Sequence, residues 1–117
     1  VSIATKRIYE TAVEDDGWRV LVDRLWPRGV TKTRARIDDW AKDIAPSNEL
    51  RRWFGHEIVK WPEFVERYRR ELESPTARAK LDHLLLQSKD GPVTLVFAAA
   101  DPDHCNAAAL LQFLSEA

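Results

Sequence analysis

A chain of 117 residues with 18 lysines and arginines against 19 aspartates and glutamates is long enough for one hydrophobic core. It is too nearly neutral to be held on nucleic acid or an anionic membrane by bulk charge. The single cysteine excludes an internal disulfide and agrees with a reducing compartment, and no apolar run reaches membrane-spanning length, so the expectation is one cytoplasmic domain over residues 1–117 that does not engage a membrane.

Ser2 to Tyr9 alternates apolar and polar residues, and the acidic turn Glu14-Asp15-Asp16-Gly17 separates it from Trp18-Arg19-Val20-Leu21-Val22, which reads as a buried strand. Thr31 to Arg36 is polar and aperiodic, which predicts a loop. Ile37 to Ala45 fits both helical and alternating spacing and is assigned as a short strand ending before Pro46. Ser47 is placed to cap a helix carrying Leu50, Trp53 and Phe54 on one face, with Gly55 supplying the left-handed residue that closes it.

Trp61, Phe64, Val65, Tyr68 and Leu72 recur at three and four residues, and Glu63/Arg67 with Glu66/Arg70 predict ion pairs on the wet side of a helix. Ser74-Pro75 starts another helix, with Ala77, Leu81, Leu84 and Leu85 inward and His83 exposed. Val93 to Phe97 is apolar on both faces, the signature of a strand with parallel neighbours. A final helix is expected from Asp103 to Ser115, packing Ala107, Leu110, Leu111 and Leu114 on the sheet. If it already runs at Cys105, that sulfur faces away from the core.

The sum is an α/β fold: a three-layer sandwich with a mostly parallel sheet and helices on its faces. In such folds ligands bind beyond the carboxyl ends of the strands. Two segments stand there. After the second strand come Asp23-Arg24-Leu25-Trp26-Pro27-Arg28-Gly29. After the last come three alanines and then Asp101-Pro102-Asp103-His104-Cys105-Asn106, small residues followed by polar ones at a helix start.

Those two stretches also carry a resemblance. With Lys32, Ala45-Pro46-Ser47, Glu49-Leu50-Arg51, Trp53-Phe54-Gly55-His56, the Trp61 to Leu72 helix, and Asp101 with His104, the chain resembles the YeaO-like proteins, a bacterial family classed as a domain of unknown function. The resemblance spans nearly the whole chain. It implies an α/β fold and cytoplasmic residence, with an Asp-x-Arg-like strand end facing a second strand end that bears polar residues, and it supplies no reaction. The family pattern has Lys before the aspartate and Asn after the histidine, where this chain has Ala100 and Cys105, with Asn106 one place later.

Each candidate has a functional and a structural reading. Arg24, Arg28, Lys32, Arg34 and Arg36 form an anion-binding arch or pair with Asp23, Asp38 and Asp39. His104 transfers protons or hydrogen-bonds at the helix start, and Asp101 is a catalyst or an N-cap. Cys105 is a nucleophile if helix-terminal N–H groups and an imidazole outweigh Asp101 and Asp103. His56 caps or packs, and Trp26 walls a pocket or plugs the sheet end.

No spaced His or Cys pair predicts a metal, and no glycine-rich phosphate motif names a cofactor. The expectation is a small enzyme on a phosphorylated or carboxylated compound, perhaps a nucleotide. In it Asp23, Asp101, His104 and Cys105 are the catalytic candidates, and Arg24, Trp26, Arg28, Lys32 and Asn106 hold substrate. The alternative is a non-catalytic module binding nucleic acid or protein through the basic Trp-Pro-Arg-Gly loop.

Overall fold

The computed structural model describes residues 2–116. Four strands, β1 (Ile3–Arg7), β2 (Trp18–Leu21), β3 (Asp39–Trp40) and β4 (Val93–Phe97), form one sheet in the order β1-β4-β2-β3. Every pairing is parallel, with Ile3 opposite Val93, Val20 opposite Leu95 and Leu21 opposite Trp40. β4 is buried at all five positions, as expected of a largely apolar strand flanked on both sides and covered on both faces, and its one polar residue, Thr94, donates its hydroxyl to the Asp16 carbonyl.

Alternation divides the strand side chains between two cores. Val20, Val22, Val93, Leu95 and Phe97 face the helices α2 (Asn48–Phe54), α3 (Trp61–Glu71), α4 (Pro75–Asp90) and α5 (Asn106–Ser115). Leu21 and Val96 face the opposite way, under Ile8, Trp26, Val30, Ala35 and Ile37. The third layer is therefore thin, made by the segment from Leu25 to Ile37 and its single helical turn α1 (Lys32–Ala35).

The capping chemistry holds where it was read. Ser47 Oγ accepts from the Leu50 N–H at 3.1 Å, Ser74 Oγ accepts from the Ala77 N–H at 3.2 Å, and Gly55 closes α2 at φ 53°. Arg67 pairs with Glu63 and Arg70 with Glu66 on the wet face of α3.

Three boundaries differ from expectation, each for a local reason. Thr31 to Arg36 is not a plain loop: Thr31 accepts from the Arg34 N–H at 3.2 Å and nucleates α1, which Arg36 stops in the left-handed conformation. The strand assigned to Ile37–Ala45 shrinks to Asp39–Trp40, because the chain turns into a 3-10 turn at Lys42–Ile44 beneath α4. The last helix begins at Asn106 and not at Asp103, since Asp101 holds the preceding residues in a turn of their own.

At the amino ends of the strands a polar cluster closes the thin layer. Asp16 accepts from Arg19 at 2.7 Å, from Lys6 at 3.1 Å and from the Val13 N–H at 3.0 Å. Burial pushes the Asp16 carboxyl up, but the Val13 N–H, Lys6 and Arg19 together bring it below the usual value. Gly17, at φ 65°, lets the backbone of Pro92 approach so closely that a Cβ would lie 2.2 Å from its carbonyl oxygen.

Candidate functional site

β2 and β4 are neighbours, and the chain leaves them in opposite directions: the segment after β2 crosses to the thin layer, whereas the segment after β4 enters α5 on the helical face. Divergence of adjacent strand ends opens a crevice between them. A cavity of about 470 Å³ lies there, within the range of small-molecule sites. The two segments singled out in the sequence meet in it: Arg28 and His104 line the same cavity.

Its floor is a lock between both strand ends and α5. The Ala98 N–H donates to Asp23 Oδ2 at 2.9 Å, while Asn106 Nδ2 donates to Asp23 Oδ1 at 3.1 Å and to the Val22 carbonyl at 2.8 Å. Both partners of that nitrogen accept only, which fixes the orientation of the amide. Burial pushes the Asp23 carboxyl above its usual value, against the opposing pull of Asn106, the Ala98 N–H and the charge of Arg51.

Two arginines fix the backbone around the cavity. Arg24 Nε and Nη2 donate to the Pro46 and Ala45 carbonyls, both at 3.2 Å, so Arg24 pins the segment before α2. Arg7, at the end of β1, donates to the Ala99 and Ala98 carbonyls at 2.8 and 3.1 Å and fixes the backbone leaving β4. Trp26 does what both of its readings asked. Its indole N–H donates to the Val30 carbonyl at 2.7 Å and its ring packs edge-on to Trp40, yet the same ring lines the crevice.

His104 Nδ1 donates to Asp101 Oδ2 at 2.8 Å, which leaves Nε2 as the acceptor of the neutral ring. Asp101 also accepts from the Asp103 N–H at 3.0 Å, and that bond followed by His104 holds its carboxyl below the usual value. Asp101 thus organises the turn before α5 and does not cap the helix. Cys105 occupies the cap position in extended backbone, and its side chain points inward to the main core with only 4% of the residue exposed. This reverses the outward orientation expected of a helical Cys105. Burial pushes its thiol up, past the lowering effect of the Ala108 and Ala107 N–H groups, and Sγ donates to the Pro102 carbonyl at 3.7 Å.

Lys32, Arg34 and Arg36 stand exposed on and beside α1, outside the cavity lining. Their place is taken by residues to which sequence reasoning gave no binding role. Arg51 and Arg52 lie on the outer side of α2, and His56 follows Gly55 with a positive φ of 60°. Phe54 and Phe64 supply the apolar wall. The lining therefore has four arginines and two histidines against one carboxylate, Asp23. Among the described residues none of those arginines is in a salt bridge.

Comparison with known proteins places this arrangement in a family. The model of the "Inactive DUF488-N3 subclade" matches residues 2–117. The chain is 40% identical over 114 residues to the uncharacterised protein YeaO of Escherichia coli (strain K12), covering 97% of each. It is 42% identical over 113 residues to uncharacterised proteins of Mycobacterium tuberculosis (strain ATCC 25618 / H37Rv) and Mycobacterium bovis, covering 97% of this chain and 93% of theirs. No solved structure matches significantly. Two strand ends meeting over one polar floor, together with likeness over nearly the whole chain, make this protein a member of the YeaO-like DUF488 family, in the subclade described as inactive.

Proposed function

We propose that this protein binds a small anion in the crevice between the ends of β2 and β4 and holds it without covalent chemistry. The observation that carries the reading is the charge contrast. The whole chain has a formal net charge of -1, whereas the cavity is lined by four arginines and one aspartate. A concave surface of one sign concentrates counter-charge, and guanidinium forks match phosphate and carboxylate oxygens.

The polar groups at the floor support binding over catalysis. Cys105 is buried and kept protonated by its surroundings, and Asp23 is engaged on both oxygens by the protein itself. The subclade's description as inactive agrees with this. Titration with inorganic phosphate and pyrophosphate, followed calorimetrically, tests it. Arg52→Ala and Arg28→Ala are each expected to weaken binding by roughly tenfold, since one charge-assisted hydrogen bond is removed. Affinities that are unchanged in both variants and insensitive to salt refute it.

One observation favours a second reading, that of an enzyme on a phosphorylated or carboxylated substrate: the His104–Asp101 pair orients an imidazole at the cavity wall. On that reading His104→Ala abolishes turnover while affinity persists. A binder has no turnover to abolish.

A further inference from the structure

The crevice is graded from its floor to its rim. Asp23 and Asn106 at the floor are half-buried, whereas Arg28, Arg51 and Arg52 are exposed around the mouth. The floor is rich in unused acceptors. Asn106 gives both amide hydrogens to Val22 and Asp23, and among the described residues its Oδ1 receives no hydrogen bond. Each oxygen of Asp23 accepts one bond, while a carboxylate has about four acceptor positions. The lining also includes an apolar wall of Trp26, Pro27, Pro46, Phe54 and Phe64. A bare inorganic anion would satisfy the rim and leave both the acceptors and this wall unused.

Resting on the anion-binding reading above, we propose that the crevice selects a nucleoside monophosphate whose base carries an exocyclic amine: the amine donates to Asn106 Oδ1 and Asp23 at the floor, the ring lies against the apolar wall, and the phosphate meets the rim arginines. The grading sets the direction of entry. An anionic group at the floor would face the Asp23 carboxylate, and an amine at the rim would face guanidinium groups, so the ligand enters amine first. Flat rings suit an aromatic wall, and a cavity of about 470 Å³ holds one mononucleotide-sized molecule and not a duplex.

The test is calorimetric titration of the whole chain with four probes: adenosine 5′-monophosphate, the purine riboside 5′-monophosphate that lacks only the amine, adenosine, and inorganic phosphate. Adenosine monophosphate is expected to bind tightest. Loss of the amine should weaken binding by about tenfold or more, because a half-buried carboxylate and amide lose their donor. Loss of the phosphate should weaken it at least as much. Asp23→Asn, checked for folding by circular dichroism, should narrow the preference for the amine.

Equal affinity with and without the amine overturns the inference while leaving anion binding intact. Inorganic phosphate binding as tightly as the nucleotide does the same. Failure of every phosphate to bind removes both proposals together. A 5′-phosphorylated oligoadenylate that competes for the site upholds the chemistry and makes a strand end the source; one that does not compete upholds it for the free nucleotide.

Discussion

Asn106→Ala is the sharpest probe of the lock beneath the crevice. The side chain donates to the Val22 carbonyl at 2.8 Å and to Asp23 Oδ1 at 3.1 Å, and Val22 is fully buried. Its removal leaves a buried carbonyl without a partner, at about 1–3 kcal/mol, and strips a charge-assisted bond from Asp23 of about 1.5–3 kcal/mol. Water entering from the open crevice offsets part of this, because the vacated space borders the cavity. Alanine is at least as good a helix former as asparagine at the first position of α5, so propensity adds no loss. The expected net effect is about 2 kcal/mol, and for a domain of this size roughly 8 °C in melting temperature. Urea unfolding followed by tryptophan fluorescence should show a lower midpoint with an unchanged slope. Asn106→Asp sharpens the test. It sets a second carboxylate against Asp23, so it should cost more than alanine near neutral pH and recover in acid. A loss below about 0.5 kcal/mol for Asn106→Ala, or a milder effect of Asn106→Asp at neutral pH, refutes the lock.

Further predictions concern pH and packing. Burial raises the folded-state pKa of Asp23 above 3.8, so the stability it contributes is fully present below that value and declines as pH rises through the folded pKa. Urea midpoints of wild type relative to Asp23→Asn, taken from about pH 3 to about pH 7, should fall along that course, and a constant difference counts against it. Asp16 has the opposite sign. Its folded pKa lies below 3.8, so its contribution is complete above that value and lost as pH falls through the folded pKa. Asp16→Asn should cost about 3 kcal/mol at neutral pH by leaving the buried Arg19 without its counter-charge, measurable by chemical denaturation. Gly17→Ala should destabilise by about 2 kcal/mol or more, because a Cβ would meet the Pro92 carbonyl at 2.2 Å in a left-handed backbone; a melting temperature equal to wild type contradicts the close approach. Cys105 should react with an aromatic disulfide reagent far more slowly in the native than in the unfolded chain, and equal rates would mean that the thiol is not buried.

The elements legible in the sequence were those whose signals are local. Hydroxyl caps at Ser47 and Ser74, the three-four spacing of α3 and the largely apolar run of β4 need no knowledge of the rest of the molecule. The strand ends of the crevice were legible for the same reason, since Asp23 and Asn106 both lie just past a strand or at a helix start. Arg51 and Arg52 were not, because their spacing says only that they face away from the α2 core side, and tertiary placement turns that outer side towards a cavity. Cys105 was misplaced by a helix assumed to start early: with α5 beginning at Asn106, three residues after Asp103, extended backbone at Cys105 swings its side chain from the outside to the inside.

The sheet order has a consequence for how the chain is made. β4, ninety residues beyond β1 in register, is the strip to which both β1 and β2 are stitched, so until it is made β1 has no partner and β2 has only the two-residue β3. Joining β1 to the sheet therefore requires closure of a long loop, which slows assembly. A fragment ending before Val93 keeps only the short β2–β3 pairing and leaves one edge of β2 and all of β1 without the strand that joins them.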